Sequence, residues 1–171
     1  MAIVAKNPYK FYLRGVTKDG KFIKDDEPKD LEEDFVGLRY IRCTGIDEIG
    51  KAKNIYTETY SDADKVRTFI PDKIKNAETD IELTLCFFGA DVENCRANCD
   101  SFTDYIRKGL HRYYDTARKK YFDFYVEDVI TPSKEDYKVN IPHIEISYKL
   151  KNIYGKSFYD NDGDAIFITP K

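Results

Sequence analysis

The chain has 171 residues, of which 42% are hydrophobic and 15% aromatic, a composition typical of one globular domain that buries its own core. Acidic and basic side chains number 31 and 28, and the net charge of -3 gives no general footprint for binding nucleic acid. No apolar run is long enough for a membrane-spanning helix, and the apolar patch before Pro8 is too short for a signal-peptide core. We therefore expect no membrane contact and a cytoplasmic origin.

Residues 1–35 are predicted to form an N-terminal arm with a hairpin and an acidic loop. The hairpin flanks run over 11–14 and 21–23, and Asp19-Gly20 between them is a strong signal for a tight turn. The run DDEPKDLEED, residues 25–34, carries too much charge to be buried. We expect it to be a solvated linker, with a functional acidic patch as the alternative.

Residues 36–150 are predicted to form the core, beginning with a strand over 36–44. The next stretch, 47–65, is polar except for Ile55, Tyr56 and Tyr60, and it lacks a clean period. It is either a long loop or a ragged hairpin, and long irregular connections often serve binding or assembly. A short strand is expected at 66–70.

The clearest patterns begin at Asp80. Apolar residues alternate over 81–87, which indicates a strand, and apolar residues spaced three and four apart predict a helix over about 91–108, capped by Asp91. A short strand at 110–114 and a hairpin of strands 121–130 and 144–150, turning at 131–136, complete the core. One helix among seven or eight strands predicts a mainly β (α+β) fold: an antiparallel β-sandwich or partly closed barrel with one flanking amphipathic helix.

Residues 151–171 are predicted to be a C-terminal extension of the single domain 1–171. Its apolar run contains Ile166, Phe167 and Ile168. The run is either a last edge strand or an arm that pairs with a neighbouring copy.

No group of residues predicts catalysis, a cofactor or a metal. Cys43, Cys86, Cys95 and Cys99 form no C-x-x-C pair and are expected to be buried thiols. His111 and His143 lie in predicted strands without a nearby nucleophile, which favours structural roles. In the cluster Asp160–Asp164 the sixth position of a calcium loop is Ala165 instead of glycine, and no glutamate stands at the twelfth, so a flexible turn is expected.

A basic and aromatic segment follows the helix. Its interleaved residues are Arg112, Tyr113, Tyr114, Arg118, Lys119, Lys120 and Tyr121. Such interleaving can bind single-stranded nucleic acid, but acidic neighbours dilute the charge, and tyrosine is favoured at protein interfaces. Subunit contact is therefore the preferred interpretation.

The segment Gly109-Leu110-His111-Arg112-Tyr113-Tyr114-Asp115-Thr116-Ala117-Arg118-Lys119-Lys120 resembles a run in tail components of bacteriophages and prophages. The later segments YKVNIPHI, residues 137–144, and YKLKNIYGK, residues 148–156, resemble the same proteins. The resemblance covers residues 80–156. It implies a phage or prophage tail structural protein, similar to tail tube or distal tail proteins.

Such proteins are non-enzymatic, bind no cofactor or metal, and assemble into rings that are commonly hexameric. The resemblance implies that copies of the chain contact each other and other tail proteins, with DNA only as passing cargo in a tube. It places the protein in the virion tail, assembled in the bacterial cytoplasm. The candidate interface residues are Ile55, Tyr56, Tyr60, Tyr113, Tyr114, Arg118, Ile166, Phe167 and Ile168. The alternative is a host-surface or carbohydrate-binding module of a tail or baseplate.

Overall fold

A computed structural model describes residues 7–59, 66–136 and 141–167. The elements in chain order are β1 (Phe11–Val16), β2 (Lys29–Asp30), β3 (Leu38–Thr44), β4 (Tyr56–Thr59), β5 (Val66–Phe69), β6 (Thr79–Phe88), α1 (Val92–Ile106), β7 (Leu110–Asp115), β8 (Lys120–Asp136), β9 (His143–Asn152), β10 (Phe158–Tyr159) and α2 (Asp164–Phe167).

Eight strands form one antiparallel sheet. Its order is β2-β1-β7-β8-β9-β6-β3, and β10 pairs with β8 beside that path. The remaining strands, β4 and β5, form a separate two-stranded sheet. The predicted class, mainly antiparallel β with one flanking amphipathic helix, is confirmed.

The large sheet curls until its two ends approach each other. The ring of Phe11 on β1 stacks on the ring of Tyr40 on β3, with centroids 3.9 Å apart. Between these ends lies Glu32, whose carboxylate accepts hydrogen bonds from the backbone N–H groups of Asn7, at 3.0 Å, and Tyr40, at 2.9 Å. The Glu32 side chain thus bridges the gap between the two ends of the sheet, where a closed barrel would have hydrogen bonds between strands.

Helix α1 covers the core enclosed by this curl. Its buried stripe is Cys95, Cys99, Phe102 and Ile106, and the Phe102 ring packs against Phe87 and Tyr148. The Asp91 carboxylate accepts a hydrogen bond from the Asn94 N–H, and Gly109 adopts a positive φ of 75° just beyond the helix. The helix prediction is confirmed, with both ends slightly shorter than expected.

The acidic loop is ordered, contrary to the solvated linker expected from its charge. Leu31 is fully buried in the core, and several carboxylates accept hydrogen bonds from backbone N–H groups. Asp26 accepts from Gly15 at 2.6 Å, and Asp34 accepts from Asp30 at 2.6 Å. These carboxylates satisfy backbone N–H groups of the loop and of β1, and the hydrogen bonds hold the loop against the sheet.

The N-terminal hairpin is only partly as expected. The turn forms, with Gly20 at a φ of 76°, but only a single bridge joins Val16 to Phe22. Strand β1 instead pairs along its length with β7.

Strand β8 departs most from its prediction. It extends to Asp136, so the turn expected at 131–136 is wrong. Its register against β9 shifts between Val126 and Asp128, which is a β-bulge. Strict alternation from Phe122 and Phe124 predicts that Ile130 faces the core. Because a bulge reverses the alternation of side chains, Val129 packs against the core instead and Ile130 is exposed.

Candidate interaction surfaces

Two exposed aromatic side chains face each other across the strand pair β4 and β5. We call residues 50–59 and 66–77 the ribbon, because they run as an antiparallel pair away from the main sheet. Tyr56 lies opposite Phe69, and the two side chains are 69% and 51% exposed. An isolated two-stranded hairpin is marginally stable in water, so such a ribbon gains from packing on another surface. Within the described residues, 56–59 of the stretch 47–65 form a strand, and it pairs with β5, which is the short strand predicted at 66–70.

The base of the ribbon is firmly attached to the body. The Gly50 N–H donates to the Gly155 carbonyl at 2.7 Å, and the Ala77 N–H donates to the Lys51 carbonyl at 2.7 Å. A Cβ atom on either glycine would overlap the Ala77 carbonyl oxygen. Only glycine therefore allows this close approach, and the ribbon leaves the body in a defined direction.

A groove lies beside this base. It has a volume of about 330 Å³ and an apolar floor of Ile74, Ile153, Tyr154 and Phe158. Three exposed lysines and one amide line it as well: Lys53, Lys75, Lys156 and Asn76. The Lys156 ammonium lies 5.1 Å from the centroid of the Phe158 ring. We call this feature the basal groove.

The first part of the basic and aromatic segment predicted to contact other subunits, residues 112–114, is interior. Tyr113 is fully buried and Tyr114 nearly so. The buried Arg112 guanidinium donates to both carboxylate oxygens of Asp123, at 2.6 and 2.9 Å. It also donates to the carbonyls of Gly20 and Ala165, so it joins four parts of the chain. Stacked rings and a buried ion pair consolidate this region within the subunit.

Arg118 lies at the edge of that segment. Its side chain is 41% exposed, and it donates to the buried carboxylate of Asp115 at 2.7 Å. The exposed part of its guanidinium remains available to a partner.

The described part of the C-terminal run forms a short helix, so the edge strand expected there is wrong. Asp160 directs the turn before it, because its carboxylate accepts from the N–H groups of Gly163, at 3.2 Å, and Ala165, at 2.7 Å. Ile166 is fully buried, and its carbonyl accepts from Arg14 at 2.9 Å. Phe167 is exposed and meets the ring of Tyr12 edge-on. Tyr60 and Ile168, also proposed as contact residues, lie outside the described residues.

The two histidines and four cysteines occupy structural positions. The His111 imidazole packs between the rings of Tyr105 and Phe124, and burial lowers its pKa. His143 is half-buried beside Phe88. All four cysteines are buried thiols, as predicted, and burial raises the pKa of Cys43 to about 12 and that of Cys99 to about 11.

Within residues 7–59, 66–136 and 141–167, no group of three or more His, Cys, Asp or Glu side chains is placed to hold a metal ion. In the same part of the chain, neither helix has the length and apolar character needed to cross a membrane.

Comparison with solved structures finds similar folds in chains of a phage baseplate. A chain of the phage p2 baseplate in its activated conformation with Sr aligns at a TM-score of 0.51 and 14% identity, over 83% of this chain and 44% of that chain. This chain shares its fold with a phage baseplate protein. A chain of the p2 baseplate in its activated conformation with Ca aligns at a TM-score of 0.47 and 15% identity, over 82% of this chain and 43% of that one.

The present chain thus spans less than half the length of the baseplate chains. No protein-family model matches the sequence. No curated protein matches it either.

Proposed function

We propose that this protein is a non-enzymatic structural component of a phage or prophage tail, acting in or beside the baseplate. The fold that it shares with a chain of the phage p2 baseplate carries this proposal. The burial of His111 among aromatic rings supports a structural role for the more interior of its two imidazoles. Its partners would be other tail proteins, its place the virion tail, and its site of assembly the bacterial cytoplasm.

Copies of the chain assemble into a ring in this proposal, with six copies as the expected number and DNA passing through if the ring belongs to a tube. The ribbon supports self-assembly, because its paired rings, Tyr56 and Phe69, are exposed on a two-stranded element that is marginal when isolated. Tyr56, Ile55, Arg118 and Phe167 supply contact surface. Tyr113, Tyr114 and Ile166 support that surface from within the subunit.

The experiment is a measurement of mass in solution. The purified chain is followed by light scattering and sedimentation over a wide concentration range, and its particles are imaged by negative-stain electron microscopy. Closed rings of one size are expected. A protein that stays monomeric at millimolar concentration overturns the ring.

The host-surface or carbohydrate-binding alternative gives a different result in the same preparations. A monomer or trimer that is retained on immobilised cell-wall glycans, and released by free glycan, would favour that function over a ring component.

A further inference from the structure

We infer that the basal groove of one copy docks on the outer face of helix α1 in the next copy. This inference rests on the proposed ring and names the two surfaces that would form it. One surface is basic around an apolar floor, and the other is acidic with an apolar cleft beside it.

The basic surface surrounds the basal groove. Five exposed lysines lie on the ribbon base and beside it: Lys51, Lys53, Lys73, Lys75 and Lys156. None of them forms an ion pair with another residue that the structure describes. The apolar floor between them includes Ile74, which is 53% exposed. Positive charge and apolar surface thus lie side by side.

The acidic surface lies on the outside of α1. Glu93, Asp100 and Asp104 are exposed there, and the cap residue Asp91 precedes them. Within the described part of the chain these carboxylates have no cationic partner at ion-pair distance. Arg96 is the one basic side chain between Asp91 and Asp104, and the exposed Arg107 and Lys108 follow at the C-terminal end of the helix.

A cleft of about 170 Å³ adjoins this face of the helix. It is lined by Asp34, Phe35, Val36, Asn98, Ser101 and Phe102. Val36 is 76% exposed, although valine is a residue that favours burial. The acidic face therefore also carries an apolar contact area, as the basal groove does.

The two surfaces are attached to opposite ends of strand β6. The ribbon ends next to Thr79, the first residue of β6, and α1 begins shortly after Phe88, the last. A strand of this length spans about 30 Å. Two different, complementary surfaces on separate parts of one subunit associate head to tail, and such contacts close into a ring when the rotation permits.

Charge complementarity is what selects a second copy as the occupant. Single exposed ion pairs contribute little to stability, but several opposed charges around an apolar contact steer the encounter and set its register. Because neither set of charges is paired within the described residues, association would satisfy both at once.

Charge reversal with rescue tests the inference on the full chain. The variant Lys53→Glu/Lys75→Glu places acidic side chains at the basal groove, and Asp100→Lys/Asp104→Lys places basic ones on α1. Each variant alone should associate about a hundredfold more weakly than wild type or worse, because like charges then oppose each other. An equimolar mixture of the two should assemble again, since each altered surface meets its complement in the other variant.

The control is Lys18→Glu/Lys24→Glu, which makes the same charge change at exposed positions near the N-terminal turn. It should assemble like wild type. Circular dichroism and urea unfolding of each variant establish that it is folded.

Assembly of both reversal variants at wild-type strength, or a mixture no stronger than its parts, overturns the inference. In either case a wild-type ring leaves the proposed function standing. A wild-type protein that never associates overturns the proposed ring itself, so the two failures are distinguishable.

Discussion

Tyr113 in the main sheet and Tyr56 in the ribbon both lie on strands, yet their surroundings are opposite. Tyr113 is fully buried between neighbouring rings, whereas Tyr56 is 69% exposed beside Phe69, which is 51% exposed. The difference is that β7 lies inside a covered sheet and β4 pairs only with β5. The ring of Tyr113 therefore contributes to the core of the subunit, while the rings of Tyr56 and Phe69 remain exposed to solvent.

The buried ion pair should be the most sensitive point of the body. Arg112→Met leaves the carboxylate of Asp123 buried without its partner, which costs about 3–5 kcal/mol of unfolding free energy. Urea unfolding measures the loss. The matched control is Arg42→Met, because Arg42 and Glu82 are both about half exposed at 4.0 Å and should contribute less than about 1 kcal/mol. If Arg112→Met and Arg42→Met lowered the unfolding free energy equally, the buried ion pair would be no more important for stability than the exposed one.

Two adjacent residues of the C-terminal helix, Ile166 and Phe167, should differ in how much they contribute to stability. Ile166→Ala removes a fully buried side chain and should lower the unfolding free energy by about 2–5 kcal/mol. Phe167→Ala, at an exposed position, should change it by less than about 0.5 kcal/mol. If Phe167→Ala is the more damaging of the two, the contact of the Phe167 ring with Tyr12, and not the burial of Ile166, holds this helix to the rest of the chain.

His111 should make the body sensitive to acid. Burial lowers its pKa below the ordinary 6.5, with Asp26 opposing the shift and Lys29 adding to it. The unfolded chain therefore binds the proton first, so stability is full above the ordinary pKa and falls as the pH drops through it towards the lowered one. The unfolding free energy of His111→Gln should fall less steeply than that of wild type between about pH 7 and 5.

The ribbon should show the smallest effect on stability and a large one on association. Tyr56→Ser/Phe69→Ser alters only exposed rings, so the unfolding free energy of the monomer should stay within about 0.5 kcal/mol of wild type. Sedimentation should nevertheless show weaker self-association. Unchanged association would remove the ribbon from the interface, and a large loss of stability would show that it belongs to the body.

Local signals predicted the elements that depend on neighbours in the chain. Asp91, the stripe from Cys95 to Ile106, and Gly109 all favour the same helix, and the alternation over 81–87 favours the same strand. Each of these signals is complete within about fifteen residues. Tertiary packing favours the same helix and strand as these local signals.

Elements that depend on distant partners could not be predicted in the same way. The acidic loop is held in place because the Glu32 carboxylate accepts hydrogen bonds from the N–H groups of Asn7, which precedes β1, and of Tyr40 on β3, near the other end of the sheet. The bulge after Val126 has no local signature, and it alone decides that Val129 faces the core. The basal groove combines residues near 53, 75 and 156, which only folding brings together.

By itself, the sequence determined the class of fold, the position of the helix and the buried thiols, because periodicity and capping act over short distances. Tertiary structure decided which aromatic and charged residues are interior and which are exposed. Arg112 and Lys53 are both cations, but Arg112 pairs with Asp123 across a buried ladder, whereas Lys53 has no anion at ion-pair distance among the residues that the structure describes. Burial and charge pairing depend on contacts between residues far apart in the chain, and those contacts exist only once the sheet has curled.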